Sequence, residues 1–298
     1  MYEFRYYENI RHGSPTFPFQ IYKIEHTKDA QQILPIHWHD EMEIIFLDKG
    51  RAVFRIEDRD FPLHAGEALI VHPGELHSGY NDESTEEITY YAIVFKLSWI
   101  TSAHADQTAV HELTSLITQA ERFPSNLTIN DNIHILLLSR VRHILQKYEI
   151  KHTGYELGLK GLLLLLFSDA YQYDLVEKGI VSKNNQRTEA RALIKKVLSY
   201  METHSREKIE LDQLASVIHL SRSHFCRFFK TQTGMRPLEY LNFIRINNAA
   251  NMLRNENYTV LEAAVESGFY HPSYFTKWFK KIHHMTPSKY KALYSSGI

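Results

Sequence analysis

Cysteine is almost missing from this chain. The single one, Cys226, excludes an internal disulfide framework and a cysteine-rich zinc module, and a reducing cytoplasm is the expected setting. Long apolar runs are missing too. The most apolar stretch, Gly161-Leu-Leu-Leu-Leu-Leu-Phe167, lies between Lys160 and Asp169 and falls far short of the ~20 residues a membrane helix needs. The amino terminus, Met1-Tyr-Glu-Phe-Arg-Tyr-Tyr, has no apolar signal core, so no membrane partner is expected. What remains is a chain of 298 residues, 44% hydrophobic and 23% charged, long enough for two soluble domains with proper cores.

Net charge is nearly absent as well, at −1, but the total hides a division. Residues 183–298 hold 18 Lys+Arg against 9 Asp+Glu, a net of +9. Residues 1–182 then hold 34 − 18 = 16 basic and 35 − 9 = 26 acidic groups, a net of −10. A basic carboxyl-terminal half points to a polyanionic partner; uneven surface decoration is the bland alternative.

An internal repeat decides between them. Residues 221–240 align with residues 271–290, with Ser223/Ser273, Phe225/Phe275, Phe229/Phe279, Lys230/Lys280, Met235/Met285, Pro237/Pro287 and Tyr240/Tyr290 identical. Those 7 identities in 20 positions far exceed the roughly one expected by chance, so the stretch is one supersecondary unit used twice.

Ahead of the repeat, residues 19–96 read as β. Alternating apolar and polar residues mark strands near 19–25, 43–47, 52–57, 68–71 and 88–95, separated by turn signals such as Asp48-Lys-Gly50 and Pro73-Gly74. The pattern predicts a sandwich or small barrel. Residues 108–174 change to helical period: Val110, Leu113, Leu116 and Ile117 make one stripe, Ile133 to Leu145 a second, and Leu157 to Tyr173 a third helix apolar nearly all round. That layer is expected to cover the barrel, to dimerise, or both. Residues 177–188 are polar and read as a linker. From Glu189 onward everything reads as helical. A short amphipathic helix, a turn at Ile218-His-Leu220 and an N-cap at Ser221 predict a helix–turn–helix; a long helix from Pro237 then leads to a second copy, and Thr286-Pro287 opens a last short helix.

In each copy the aromatic residues share one face. Phe225, Phe228 and Phe229, and likewise Phe275, Trp278 and Phe279, are expected to point inward. Ser223, Cys226, Arg227 and Lys230, and likewise Ser273, Thr276, Lys277 and Lys280, then point outward: small, hydrogen-bonding and basic groups suited to a DNA major groove.

Two resemblances sharpen these readings. His37-Trp-His39-Asp-Glu-Met-Glu43 with Gly50, followed by the stretch from Gly66 to His77, closely resembles the paired motifs of the cupins, jelly-roll barrels. The resemblance implies that His37, His39, Glu43 and His77 line an effector pocket with Trp38, and that they could hold a divalent metal such as Zn, Ni, Mn or Fe. His37 and His39, two apart on a strand, point the same way, and Glu43 keeps that parity. The proline of the second motif is shifted by one position, following His72. Trp38, Phe54 and Tyr80 fit pocket walls or plain core.

Residues 189–293 resemble the DNA-binding domain of the AraC/XylS family of transcription regulators, through Leu214-Ala215, Ser221-x-Ser-x-Phe-x-Arg-x-Phe-Lys230, Gly234-x-x-Pro237, Glu262-Ala-Ala264-x-x-x-Gly268-Phe269, Ser273-Tyr-Phe-x-Lys-x-Phe-Lys280 and Thr286-Pro287-x-x-Tyr290. Ala263 and His284 depart from the usual pattern. The resemblance implies that Ser223, Cys226, Arg227, Ser273, Thr276 and Lys277 approach bases. Lys230 and Lys280 would meet phosphate; Arg245 would meet phosphate or brace the long helix.

The expected whole is an α+β protein of two domains. A cupin-like effector barrel occupies 1–105, a helical cover or dimerisation segment 106–176, a linker 177–188 and a double helix–turn–helix 189–298. The expected function is a cytoplasmic, non-enzymatic transcription regulator, an activator answering to a small molecule such as a carbohydrate. Its partners would be double-stranded DNA, the effector, RNA polymerase and a second copy of the chain. A metal-dependent cupin enzyme or a metal sensor fused to a DNA-binding domain is the alternative.

Overall fold

The computed structural model describes residues 8, 11–82, 87–100, 114–117, 121–178, 181–254, 258–283 and 285–294. The chain divides into two compact units, Asn9–Thr188 and Glu189–Ile298.

The first unit is built on antiparallel strands: β1 (Phe19–His26), β2 (Gln32–His37), β3 (Met42–Lys49), β4 (Arg51–Ile56), β5 (Arg59–His64), β6 (Ala68–Val71), β7 (His77–Asn81) and β8 (Ile88–Phe95), with the short β9 (Glu121–Arg122), β10 (Asn126–Leu127) and β11 (Glu177–Lys178). One sheet runs β1-β8-β3-β6-β10, a second β2-β7-β4-β5, and β9 pairs with β11. Helices α1 (Leu97–Ile100), α2 (Thr114–Ile117), α3 (Asn132–Ile150) and α4 (Tyr155–Gln172) complete the unit. The carboxylate of Asp131 opens α3, accepting from the Ile133 and His134 amides at 2.8 and 3.0 Å.

Strand parity explains where the cores sit. In β3, Ile45 and Leu47 join Phe54, Ile56, Leu69, Val71, Tyr90 and Val94 in the core between the sheets. The alternate residues Met42, Ile44 and Phe46 join Ile70, Ile93 and Phe95 on the other face, under Leu137, Val141, Leu163 and Phe167 of α3 and α4. The five-stranded sheet is therefore apolar on both faces, and β3, β6 and β8 read as continuous hydrophobic runs. Glu43 shares parity with Ile45, so it points between the sheets. Helix α4 buries Leu159, Leu163, Leu166, Phe167 and Ala170. The rest of this nearly all-round apolar surface stays open in the single chain, with Leu157 78% exposed and Leu165 46%. Of the earlier helical stripe, Val110 and Leu113 lie outside the described residues, while Leu116 is fully buried in α2. Within the stretch read as a linker, Glu177–Lys178 is β11 and a helix starts at Val181.

The second unit contains α5 (Val181–Thr203, which begins in the linker stretch), α6 (Leu211–Val217), α7 (Arg222–Thr233), α8 (Pro237–Arg254), α9 (Val260–Glu266), α10 (Pro272–His283) and α11 (Pro287–Tyr294). Ser221 is the N-cap of α7 but its side chain makes no capping bond. Helix α9 opens with a capping box: the Thr259 amide donates to Glu262 Oε2 at 2.7 Å and the Glu262 amide to Thr259 Oγ1 at 3.2 Å.

The repeat in the sequence is a repeat in space. Phe225 and Phe229 lie 5.7 Å apart with rings at 58°; Phe275 and Phe279 lie 5.5 Å apart at 60°. Phe229 meets Tyr240 edge-on at 5.3 Å, and Phe279 meets Tyr290 edge-on at 5.3 Å. Each copy locks its second helix onto the next with the same aromatic triad.

Candidate effector site and DNA-reading face

Strand geometry brings four donors together at one end of the sandwich. The last residue of β2, His37, pairs with the first of β7, His77. His39 follows just beyond β2, and Glu43 enters from β3 opposite Val71 and Val94. One potential ligand atom from each of His37, His39, Glu43 and His77 lies within 4.8 Å of the other three. Except for the half-buried His37, the set is fully buried. Trp38, between the two histidines, is half-buried and outside the donor set. His72, beside the shifted proline, is also outside it: its Nε2 lies 3.4 Å from the Phe123 carbonyl. Phe54 is wholly core, while Tyr80 is half-buried.

The protonation pattern follows from the backbone. The Nδ1 atoms of His37, His39 and His77 lie 2.8, 3.1 and 2.9 Å from the carbonyl oxygens of Pro35, Glu41 and Glu75. A carbonyl only accepts, so each Nδ1 carries a proton and each ring turns its Nε2 inward. Glu43 Oε2 lies 3.0 Å from His39 Nε2, a hydrogen bond in which the carboxylate accepts, and 2.9 Å from His77 Nε2, the latter out of line for a hydrogen bond. Burial alone would raise the Glu43 pKa, but the His77 and His39 imidazoles outweigh it and hold the carboxyl well below its ordinary value. Burial, aided by His37, pushes His77 down. Both directions favour an ionised Glu43 carboxylate facing a neutral His77 imidazole. Lone pairs and negative charge converging on one point repel one another unless a cation or a proton lies between them. Three imidazoles and a carboxylate suit a divalent transition metal, and carbonyl-bound Nδ1 protons are the usual outer support of such ligands. The residues present therefore fit a metal.

Sequence reasoning missed what lies behind this cup. The Glu75 carboxylate is bonded to the His72 amide at 2.8 Å and paired with Arg122 of β9. These side chains are only 4% and 14% exposed.

In the second unit, Ser223, Arg227 and Lys230 of α7 and Ser273, Lys277 and Lys280 of α10 are exposed, with Cys226 and Thr276 half-buried beside them. The two expected reading stripes thus lie along one side of their helices, opposite the buried Phe225/Phe229 and Phe275/Phe279. Phe228 and Trp278 are half-buried rather than core, and Lys281 Nζ sits 4.6 Å over the Trp278 ring. Arg245, considered for phosphate or as a brace of the long helix, bonds backbone carbonyls within the unit. Its Nε donates to the Ser205 carbonyl at 2.7 Å and its NH2 to the Glu207 carbonyl at 2.6 Å, which ties α8 to the turn after α5. A Cβ on Gly268 would come within 2.6 Å of that same Ser205 carbonyl and 3.0 Å of Arg245 Nε, so this close approach requires glycine. His224 and Tyr274, exposed at matching positions of the two copies, were not singled out from sequence.

The profile of the AraC-like ligand binding domain matches residues 19–167, half of the chain, and a helix-turn-helix domain matches residues 214–292. The chain belongs to the AraC family of transcription regulators. Over 294 residues it is 28% identical to an uncharacterized HTH-type transcriptional regulator, YdeC of Bacillus subtilis, covering 97% of this chain and 96% of that one. It is 23% identical to the HTH-type transcriptional activator RhaS of Klebsiella pneumoniae, over 86% of this chain and 87% of the relative. Among solved structures, the DNA-binding domain of AdpA in complex with a target DNA is similar, with 29% identity, 35% of this chain and 93% of that chain covered, and a TM-score of 0.33. As an AraC-family regulator the chain binds DNA through its second unit and carries a ligand-binding domain in its first. Among the described residues no helix is long and apolar enough to cross a membrane.

Proposed function

We propose that this AraC-family chain is a cytoplasmic transcription activator controlled by a small effector bound at the His37/His39/Glu43/His77 cup, which also seats a divalent cation. The observation that carries the reading is the convergence of three carbonyl-fixed imidazoles and one ionised carboxylate within 4.8 Å. Bound there, Zn, Ni, Mn or Fe would supply a Lewis-acidic point that accepts an effector oxygen. The chain's own groups orient the donors and exclude water. A hydroxyl-rich effector, a carbohydrate among them, matches such a site, because its oxygens accept from donors and coordinate cations alike. The match to transcription regulators favours reading the domain as a sensor over an enzyme.

In this reading Ser223, Cys226, Arg227, Ser273, Thr276 and Lys277 meet base edges, and Lys230 and Lys280 meet phosphates. Residues 1–105 form the effector barrel, 106–176 its cover, 177–188 the connection and 189–298 the DNA-binding domain. The exposed Leu157 and Leu165 of α4 support a homodimer through that cover, and RNA polymerase is the partner of an activator bound beside a promoter.

The test uses the full chain. Metal analysis and Ni²⁺ calorimetry, each with an EDTA control, are run on the parent and on His37→Ala. DNA affinity for an operator fragment selected in vitro is measured with and without metal and a panel of sugars. The parent should bind one cation and change its DNA affinity on loading. His37→Ala should lose that response while keeping basal DNA binding. An unchanged cation and effector response in His37→Ala would falsify the assignment of the cup.

A further inference from the structure

We propose that the buried Glu75–Arg122 pair couples the cup to β11, and through it to the start of α5, so that occupancy of the cup is felt where the chain leaves the barrel. This rests on the cup being the ligand site. Glu75 belongs to both sides of the link. Its backbone carbonyl fixes the His77 ring through Nδ1 at 2.9 Å, and its amide bonds the His72 carbonyl at 3.1 Å. Its neighbour Gly74 donates to the His39 carbonyl at 2.7 Å, so the turn carrying Glu75 is tied to two of the four donors. The Glu75 side chain, in turn, holds Arg122.

Arg122 lies in β9, and among the described residues β9 pairs with β11 alone, in the register Arg122↔Glu177 and Lys178↔Glu121. The flanking residues reinforce the tie. The His72 ring stacks on Phe123 at 6.5 Å and 17°, and Phe123 stacks on Phe167 of α4 at 4.7 Å. The Tyr171 hydroxyl donates to Glu121 Oε2 at 2.8 Å. From Glu177–Lys178 the chain proceeds within three residues to α5, which starts at Val181.

The element acted on is suited to being shifted. A ribbon of two residue pairs is near the limit of what pairs at all, so a small bias on its anchor changes its population. The anchor is a charge pair in a nearly dry setting, where losing one partner is expensive and alignment matters. A ligand that draws the His77 ring toward the cup centre pulls on the Glu75 carbonyl. Because the same residue's carboxylate holds Arg122, the displacement cannot stay within the turn.

Hydrogen exchange on the full-length protein tests this with Ni²⁺ as the probe. In the parent, Ni²⁺ should slow exchange at residues 121–123 and 175–178 by at least ~5-fold, the low end of ordinary coupling between sites. Arg122→Met leaves a buried carboxylate unpaired and would itself unsettle the fold. The double variant Glu75→Gln/Arg122→Met removes both charges and keeps the packing. It should keep the parent's Ni²⁺ affinity and lose the protection at 175–178, and Arg122→Lys should recover part of it. Protection of parental size in the double variant overturns the coupling and leaves the cation reading intact. If calorimetry shows no Ni²⁺ binding by the parent, the cation reading fails, and the coupling is judged on His37→Ala. That substitution must alter exchange at 175–178 in the parent background and leave it unchanged in the double variant; no alteration in the parent background overturns the proposal.

Discussion

Arg245→Met separates two roles that charge alone confuses. The guanidinium makes two charge-assisted bonds, to the Ser205 carbonyl at 2.7 Å and the Glu207 carbonyl at 2.6 Å. Each such bond contributes about 1.5 kcal/mol at the low end of the range, the end appropriate to a partly exposed group, so the pair contributes about 3 kcal/mol. Methionine keeps most of the stem's packing, which limits the loss to those bonds and the two carbonyls left behind. In a unit the size of residues 189–298, a loss of that order lowers the melting temperature by roughly 10 °C or more. Differential scanning calorimetry of the full chain should show the DNA-binding transition moved down. DNA affinity measured well below that transition, across a salt series, should keep its slope. A phosphate contact behaves in the opposite way: stability holds, and the slope of log K against log salt falls by about 1. That second outcome would refute the assignment of Arg245 as a brace.

Three further substitutions probe the other assignments. Arg227→Ala should weaken binding to a selected operator by ~1–3 kcal/mol and relax base preference at one position, read by in vitro selection; an intact preference removes Arg227 from the reading face. Lys280→Ala should lower affinity for all duplexes alike and reduce the salt slope by ~1, whereas a sequence-selective loss contradicts phosphate positioning. Gly79→Ala should destabilise the barrel by ~1–3 kcal/mol in urea melts, because the new Cβ would meet Phe54 Cε1 at 2.8 Å and Ile33 Cγ1 at 3.1 Å; an unchanged midpoint means the sheets part there without cost.

The readable part of the fold was the part with a clean period. Strands β1, β3, β4, β6 and β8 alternate or run apolar, and all five were expected near their observed places. Strands β2, β5 and β7 were not, because Pro35, Pro62 and Gly79 interrupt them. Proline is tolerated in β5 because that strand is the edge of its sheet, a fact that only the strand order reveals. The helix–turn–helix repeat was legible almost to the residue, since its aromatic frame recurs at a fixed offset. The four cup residues were legible because they fall in recognisable motifs; the expected shared strand is not found, since His37 ends β2, His39 lies beyond it, Glu43 is on β3 and His77 opens β7. Their tautomers were not legible, being set by the carbonyls of Pro35, Glu41 and Glu75. Glu75 and Arg122 are 47 residues apart, and β9 and β11 are two residues each, too short to show a period. Arg245 illustrates the other kind of loss: one positive charge on a helix fits phosphate or carbonyl equally until the neighbouring turn is placed.

The two reading helices share a frame but not a surface. The Phe–Phe and Phe–Tyr spacings agree between the copies to within 0.2 Å, from 5.7 against 5.5 Å to 5.3 against 5.3 Å. That leaves the outward residues as the source of any difference in what each copy reads. There α7 offers Cys226-Arg227 and α10 offers Thr276-Lys277. The Thr276 hydroxyl donates back to the Pro272 carbonyl at 2.9 Å, so in the proposed reading role it would offer DNA an acceptor. The Tyr274 hydroxyl accepts from Asn242 Nδ2 at 2.9 Å, which holds that ring against α8, whereas the matching position in α7 is His224. Arginine can grip a guanine edge with two parallel bonds, and lysine presents a single charge. With Arg227 and Lys277 in the proposed base-reading roles, a bidentate reader on one helix and a point-charge reader on the other would select two different half-sites. The DNA read by one copy of this chain is therefore expected to be asymmetric, with any palindrome arising from a second copy rather than from the internal repeat.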